Sequence, residues 1–179
     1  MSIEGKLPLS VFIICCNEEK RIRMTLESVK DLVNEIIVVD SGSKDGTLEI
    51  VKEYTDKIYY KEWEGFGPQK KFAEQKCQND WILNLDADEA LLERVKDSIR
   101  AVFQKQESER SDMYSLQICH VSHLSKNYKP LPFAPKNVTP RLYNKNKAGF
   151  KDSPVHDKVV SFNNSKPVVL DGKVAHVSL

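Results

Sequence analysis

Apolar residues recur along the first half of the chain in alternating strand-like and helix-like patterns. Leu9 to Cys16 is an almost unbroken apolar run, the pattern of a strand buried on both faces. Glu18 to Leu32 carries Ile22, Leu26 and Val29 on one helical face, which predicts an amphipathic helix. Ile36 to Val39 predicts a second strand and Leu48 to Tyr54 a second helix, with Asp45 or Thr47 available as its cap. Lys57 to Lys61 reads as a third strand. Gln69 to Cys77 follows the Gly65-Phe-Gly-Pro68 loop as a third helix. Trp81 to Leu85 is a fourth strand, and Glu89 to Gln104 a strongly periodic fourth helix with Leu92, Val95, Ile99, Val102 and Phe103 on one face.

Repeated strand–helix units predict an α/β fold with a parallel sheet covered by helices. Right-handed crossovers then place every strand-to-helix turn on one sheet edge. The polar turns after Cys16, Val39 and Leu85 should therefore converge. The second half has a different texture. Gln104 to Asp112 is a charged connector, and Met113 to His123 has mixed strand character. Lys129 to Pro140 holds four prolines and reads as an irregular loop. Val155 to Val160 and Val168 to Val177 read as short strands.

The turn after the fourth strand is Asp86-Ala87-Asp88. Hard cations such as Mg²⁺ and Mn²⁺ take oxygen ligands, commonly one or two carboxylates completed by substrate phosphates. In α/β sheets ligands bind beyond the carboxyl ends of the strands. The triplet suggests a metal–diphosphate site; the alternative is that Asp88 caps the following helix. An EF-hand loop from Asp86 is excluded, because Leu91 and Asp97 stand where glycine and glutamate are required. Asp40 suits a nucleobase or ribose contact, or an Asx turn. Asn17-Glu18 suits the same pocket, or simply the start of a helix. Lys70 or Lys71 could neutralise a diphosphate, or belong to a solvated face. His120 and His123, three apart, would face opposite sides of a strand and so do not form a metal pair. His156 and Asp157 could supply a ligand and a general base, or belong to an ordinary edge strand.

Composition narrows the field. The 179 residues carry 27 basic and 26 acidic side chains, a net charge of +1, which gives no electrostatic case for nucleic acid. With 40% hydrophobic and 30% charged residues the chain suits one globular domain. No apolar run is long enough to span a bilayer, and the first residues lack the apolar stretch of a secretory signal. The four cysteines show no CxxC spacing, so reduced thiols and a cytoplasmic location are expected. Signatures of dinucleotide redox, P-loop, zinc-protease and serine-hydrolase chemistry do not occur.

Four motifs, in order, carry a family resemblance: Leu9-Ser-Val-Phe-Ile-Ile-Cys-Cys-Asn-Glu-Glu19, Glu35-Ile-Ile-Val-Val-Asp-Ser-Gly-Ser-Lys-Asp-Gly-Thr47, Gly65-Phe-Gly-Pro-Gln-Lys70 and Asn79-Asp-Trp-Ile-Leu-Asn-Leu-Asp-Ala-Asp-Glu89. Together they resemble family 2 glycosyltransferases. Arg141-Leu-Tyr143 and Pro154-Val-His-Asp157 resemble the branch of bacterial lipopolysaccharide-core β-glucosyltransferases. The resemblance implies a GT-A fold, mostly parallel with a small mixed C-terminal β portion. It implies one domain over residues 1–179, with a donor half at 8–105 and an acceptor half at 106–179 that ends earlier than in relatives.

It further implies an inverting transfer from a nucleoside-diphosphate sugar, in the first place a UDP-sugar, to a glycan or glycolipid hydroxyl. Mg²⁺ or Mn²⁺ would assist, in the cytoplasm or at the inner membrane face with peripheral membrane association. By position, Asn17 and Glu18 line the nucleotide pocket, Asp40 meets base or ribose, Lys70 lies near the diphosphate, Asp86 approaches the ribose and Asp88 the metal. Asp157 is the expected general base, with Asp152 in reserve and His156 as acceptor or metal contact. Two other readings compete. A nucleotidyltransferase would want a glycine-rich loop where Cys16-Asn-Glu-Glu-Lys20 stands. A non-catalytic or hydrolysis-only nucleotide-sugar module would bind donor without transfer.

Overall fold

The computed structural model describes residues 5–122, 136–151 and 157–178. In chain order the elements are β1 (Leu7–Cys15), α1 (Ile22–Val29), β2 (Val33–Asp40), α2 (Thr47–Lys52), β3 (Ile58–Tyr60), α3 (Phe66–Lys76), β4 (Trp81–Asp86), β5 (Glu89–Leu91) and α4 (Glu93–Gln104). They continue with β6 (Met113–Ser122), β7 (Lys136–Asn144), β8 (Ala148–Phe150), β9 (Val159–Ser161) and β10 (Val168–Ser178). Eight strands form one sheet in the order β3-β2-β1-β4-β7-β6-β10-β5, and β8 pairs with β9 separately.

The first four strands are parallel, as their alternation with helices predicts. β7 joins antiparallel to β4, and β6 and β10 extend the same sheet, while β8 and β9 pair apart from it. β1 shows why the run after Leu7 is apolar on both faces. Val11 and Ile13 enter the core under α1 and α4, while Phe12 and Ile14 enter a second core with Ala73 of α3 and Phe150 of β8. Ile22, Leu26 and Val29 of α1, and Val95, Ile99 and Val102 of α4, are the buried stripes that the helical periodicity predicts.

Three elements differ from the sequence expectation. Glu89-Ala-Leu91 is a strand, not the first turn of α4, because it pairs antiparallel with β10 through Ala90 and Ala175. α4 therefore starts at Glu93 with Leu92 in the cap position, and Asp88 does not cap it. Within the proline-rich stretch, 136–140 belongs to β7; Pro140 is accommodated where the β6–β7 register shifts. α3 begins at Phe66, earlier than expected, after Gly65 at φ 111°.

At the sheet's amino edge, Glu35 is buried. It accepts hydrogen bonds from Ser10 and from the Gln78 backbone N–H at 2.8 Å, and pairs with Lys57. Burial alone pushes its carboxyl up, but Lys57, Ser10 and Gln78 outweigh this and hold it below 4.5. A depressed carboxyl contributes stability above its ordinary value, and that contribution is lost as pH falls through the lower folded value. Glu35→Ala should cost about 1–3 kcal/mol at neutral pH, since the buried Ser10 hydroxyl and the part-buried Gln78 N–H lose their acceptor. The deficit relative to wild type should shrink below about pH 4, which urea titrations across pH will show.

Candidate functional site

The carboxyl ends of β1, β2 and β4 converge on a cavity of about 530 Å³. Its walls come from Ile14 and Cys15 at the end of β1, Cys16 and Glu18 after it, Ser41 after β2, Trp63, Phe66 and Gln69 before and in α3, the Asp86–Asp88 turn, and His176 of β10. A concave site at the strand ends of an α/β sheet is the default ligand position.

Two of the sequence-predicted residues build this edge without lining the cavity. Asn17 takes φ 56°, a left-handed conformation that asparagine tolerates. Its backbone N–H donates to Ser43 Oγ at 2.8 Å and its Oδ1 accepts from the Lys44 backbone N–H at 2.8 Å. Asp40 is buried. Its Oδ2 accepts from the Gly42 and Ser43 backbone N–H groups at 2.8 and 2.9 Å, an Asx-type turn. Together they tie the β1 and β2 turns to each other. Glu18 does line the cavity. Burial raises its carboxyl, while Arg21, whose Nε donates to it at 2.9 Å, opposes the shift.

The two carboxylates of the triplet have different environments. Asp86 Oδ1 lies 3.3 Å from Lys70 Nζ, and Oδ2 accepts from Arg141 Nη2 at 2.9 Å. Burial pushes the Asp86 carboxyl up, but the Arg141 and Lys70 charges hold it well below the usual carboxylate range. Glu89 braces the same group: its Oε2 accepts from the Asp86 backbone N–H at 3.0 Å, and its Oε1 accepts from Arg141 Nη2 at 2.9 Å. Glu89 is itself buried, which raises its carboxyl despite Arg141. Asp88 is held loosely, with Arg21 Nη1 at 3.5 Å and His176 Nδ1 at 3.6 Å. Its backbone carbonyl accepts from the Val177 N–H at 2.9 Å, which fixes the turn to β10.

Lys70 is buried and its Nζ is also 3.3 Å from Asp157 Oδ2. The structure thus brings Lys70, Asp86 and Asp157 together across the two halves of the chain. Asp152 and His156 lie outside the described residues. Lys71 is structural: its Nζ donates to the Phe150 carbonyl at 2.9 Å. His120 stacks edge-on against His176, with ring centroids 4.7 Å apart.

Sequence reasoning missed Arg141, Glu89, Arg21, His176, Trp63 and Phe66 as site residues. Arg141 has a signal: it is a lone cation entering the apolar pair Leu142-Tyr143 on a strand. Its guanidinium is buried, and among the described residues Nε and Nη1 have no hydrogen-bond partner. His176 has none, since its place depends on β10 pairing beside β5.

Among the described residues no group of three or more His, Cys, Asp or Glu side chains is set to hold a metal ion. Asp88 and His176 supply a carboxylate and an imidazole on the cavity wall. That donor set fits a divalent cation whose coordination is completed by phosphate oxygens and water. Asp86, already compensated by two cations, is less free for the role.

The sequence profile of glycosyl transferase family 2 matches residues 10–163. An uncharacterized glycosyltransferase of Rickettsia felis is 43% identical over 169 residues, covering 93% of this chain and 58% of the relative. The lipopolysaccharide core biosynthesis glycosyltransferase LpsC of Rhizobium meliloti is 46% identical over 91 residues, covering 48% of this chain and 33% of the relative. The chain spans a little over half the length of the Rickettsia relative. Among solved structures, TarS of S. aureus matches with a TM-score of 0.50 and 23% identity, over 70% of this chain and 38% of that one. TarS has also been crystallised with UDP and with UDP-GlcNAc. At this identity the likeness establishes the fold, which is GT-A.

Proposed function

The chain belongs to glycosyl transferase family 2, and from that premise we propose that it moves a sugar from a nucleoside-diphosphate sugar to a hydroxyl acceptor with inversion at the anomeric carbon. The observation that carries this reading is the meeting of Lys70, Asp86 and Asp157 beside a cavity at the strand ends. It joins the donor half, 8–105, to the acceptor half, 106–179. The pairing of β7 with β4 supports treating 1–179 as one domain.

In this reading the donor is a UDP-sugar, with its diphosphate toward Lys70 and the triplet. Asp157 accepts the proton of the attacking hydroxyl. The hydroxyl oxygen bonds to the anomeric carbon as the bond to the diphosphate breaks on the opposite face. The nucleoside diphosphate leaves with the electron pair, stabilised by Lys70. Asp88, aided by Asp86, would hold Mg²⁺ or Mn²⁺, which when bound supplies charge neutralisation at the diphosphate. Asp152 is the reserve base and His156 an acceptor contact. Asn17 and Asp40 shape the nucleotide end through the turns they fix, and Glu18 faces the ligand there. The acceptor is a glycan or glycolipid of the cell envelope, a reading supported by the name of the Rhizobium relative. Among the described residues no helix is long and apolar enough to cross a membrane; the proposed location is the cytoplasm or the inner membrane face, with peripheral association.

A thermal-shift screen of nucleoside-diphosphate sugars, with and without Mn²⁺, tests the donor site. Ligand at about 100 times its Kd stabilises the native state by about 2.7 kcal/mol. For a chain of this size that raises Tm by roughly 5–10 °C. UDP-sugars with Mn²⁺ should give that shift. If none of these sugars moves Tm, the donor reading is wrong.

A further inference from the structure

The segment between β3 and α3 presents two large aromatic side chains to solvent: Trp63 is 49% exposed and Phe66 57%. Both line the cavity. Their rings meet edge to face, with centroids 4.9 Å apart and planes at 90°. Leaving two such rings uncovered at a cavity mouth forgoes apolar burial, and patches of this kind mark binding surfaces.

The segment is held firmly. The Lys61 backbone N–H donates to the Asp40 carbonyl at 3.0 Å, and the Gln69 side-chain amide donates to the Lys61 carbonyl at 3.0 Å. The Gln69 backbone N–H donates to the Gly65 carbonyl at 3.2 Å, and Lys61 pairs with Glu64. The aromatic pair is therefore positioned before any ligand arrives, which lowers the ordering cost of binding.

The cavity is polarised. The strand order β3-β2-β1-β4 sets Trp63 and Phe66 on its β3 side and Asp86–Asp88 on its β4 side. Lys70 Nζ lies between, 6.0 Å from the Phe66 ring centroid and 3.3 Å from Asp86 Oδ1. A nucleoside diphosphate is polarised in the same sense, with anionic phosphates at one end and a flat aromatic base at the other. The second half of the chain reaches the cavity wall on the triplet side, with His176 beside Asp88 and Arg141 on Asp86.

We infer that Trp63 and Phe66 form the base-binding wall, the nucleobase stacking on the Trp63 indole with Phe66 bracing it from the edge. This deepens the donor-site reading and depends on it. The wall gives affinity through any flat base, because stacking is tolerant of base identity.

The chain carries two tryptophans, and the other, Trp81, is 4% exposed and packed against Phe103 and Tyr114. Trp81 does not line the cavity, so a change in intrinsic fluorescence caused by a ligand stacking there reports on Trp63. Uridine and UDP should quench it, and inorganic pyrophosphate should not. Trp63→Ala should abolish the quenching and weaken UDP binding, measured by calorimetry, by roughly 5- to 100-fold, the range for loss of one base–aromatic stack. Trp63→Phe should restore most of the affinity. Circular dichroism of both variants should match wild type, since the side chain is half exposed. Equal UDP affinity in wild type and Trp63→Ala would overturn the inference while leaving the donor site standing. Quenching by methyl glucoside but not by uridine would overturn it by assigning the wall to the acceptor. Failure of wild type to bind UDP at all would remove the donor reading and this wall with it.

Discussion

Asp88→Asn should lower the proposed sugar transfer by about 10²- to 10³-fold, the size of effect seen when one preorganised charge-stabilising group is removed from an active site. The expectation follows from the contrast between the two carboxylates of the triplet. Asp86 is held by Lys70 and Arg141 on both oxygens. Asp88 faces the cavity with neighbours no closer than 3.5 and 3.6 Å. A carboxylate at a strand end without a close partner is free to meet a ligand. Its pairs with Arg21 and His176 are long and partly solvated, so their loss should change stability by no more than about 1 kcal/mol. The measurement is transfer from a UDP-sugar at saturating Mn²⁺, alongside the urea midpoint. Full activity in Asp88→Asn with Mn²⁺ dependence intact would remove Asp88 from the proposed metal position.

Arg141→Met has its largest effect on stability. The guanidinium is the only close cation for Glu89 among the described residues, and Glu89 is 1% exposed. Removing one partner of a buried pair leaves an uncompensated charge and typically costs about 3–5 kcal/mol. The methionine fills the apolar part of the space, so packing contributes little to the loss. Arg141→Met combined with Glu89→Gln should recover much of the deficit, because the orphaned charge is gone while the amide can still accept from the Asp86 N–H. If the double variant is as unstable as the single one, packing rather than charge explains the loss. Denaturant midpoints of the three proteins decide this.

The donor-side architecture was legible because its signals are local. Apolar runs marked β1, β2 and β4, helical stripes marked α1 and α4, and the crossover rule brought the three polar turns to one edge. The motifs identified the family and the GT-A fold. Reading roles residue by residue was harder. Asp40 and Asn17 lie at the predicted edge, yet their side chains hold turns, a division that depends on which backbone N–H groups fold back to meet them. β5 was invisible for a different reason. Glu89-Ala-Leu91 fits the periodicity of α4, and only β10, some eighty residues later, makes it a strand. The contacts of Arg141 and His176 with the triplet were hidden for the same cause: both reach it through pairings distant in sequence. The prolines that suggested a loop before Arg141 also concealed the start of β7.

The pairing of β4 with β7 and of β5 with β10 has a kinetic meaning. Contacts that close long stretches of chain are slow to form, since loop-closure entropy must be overcome before they are rewarded. During synthesis the strands through β4 emerge with an unpaired edge beside the triplet, and Asp86 emerges well before the arginine that compensates it. Val177, whose N–H fixes the Asp88 carbonyl, is among the last described residues to leave the ribosome. The carboxylates of the site are therefore made early and positioned late, so the nascent donor half is the stage most exposed to edge-to-edge aggregation.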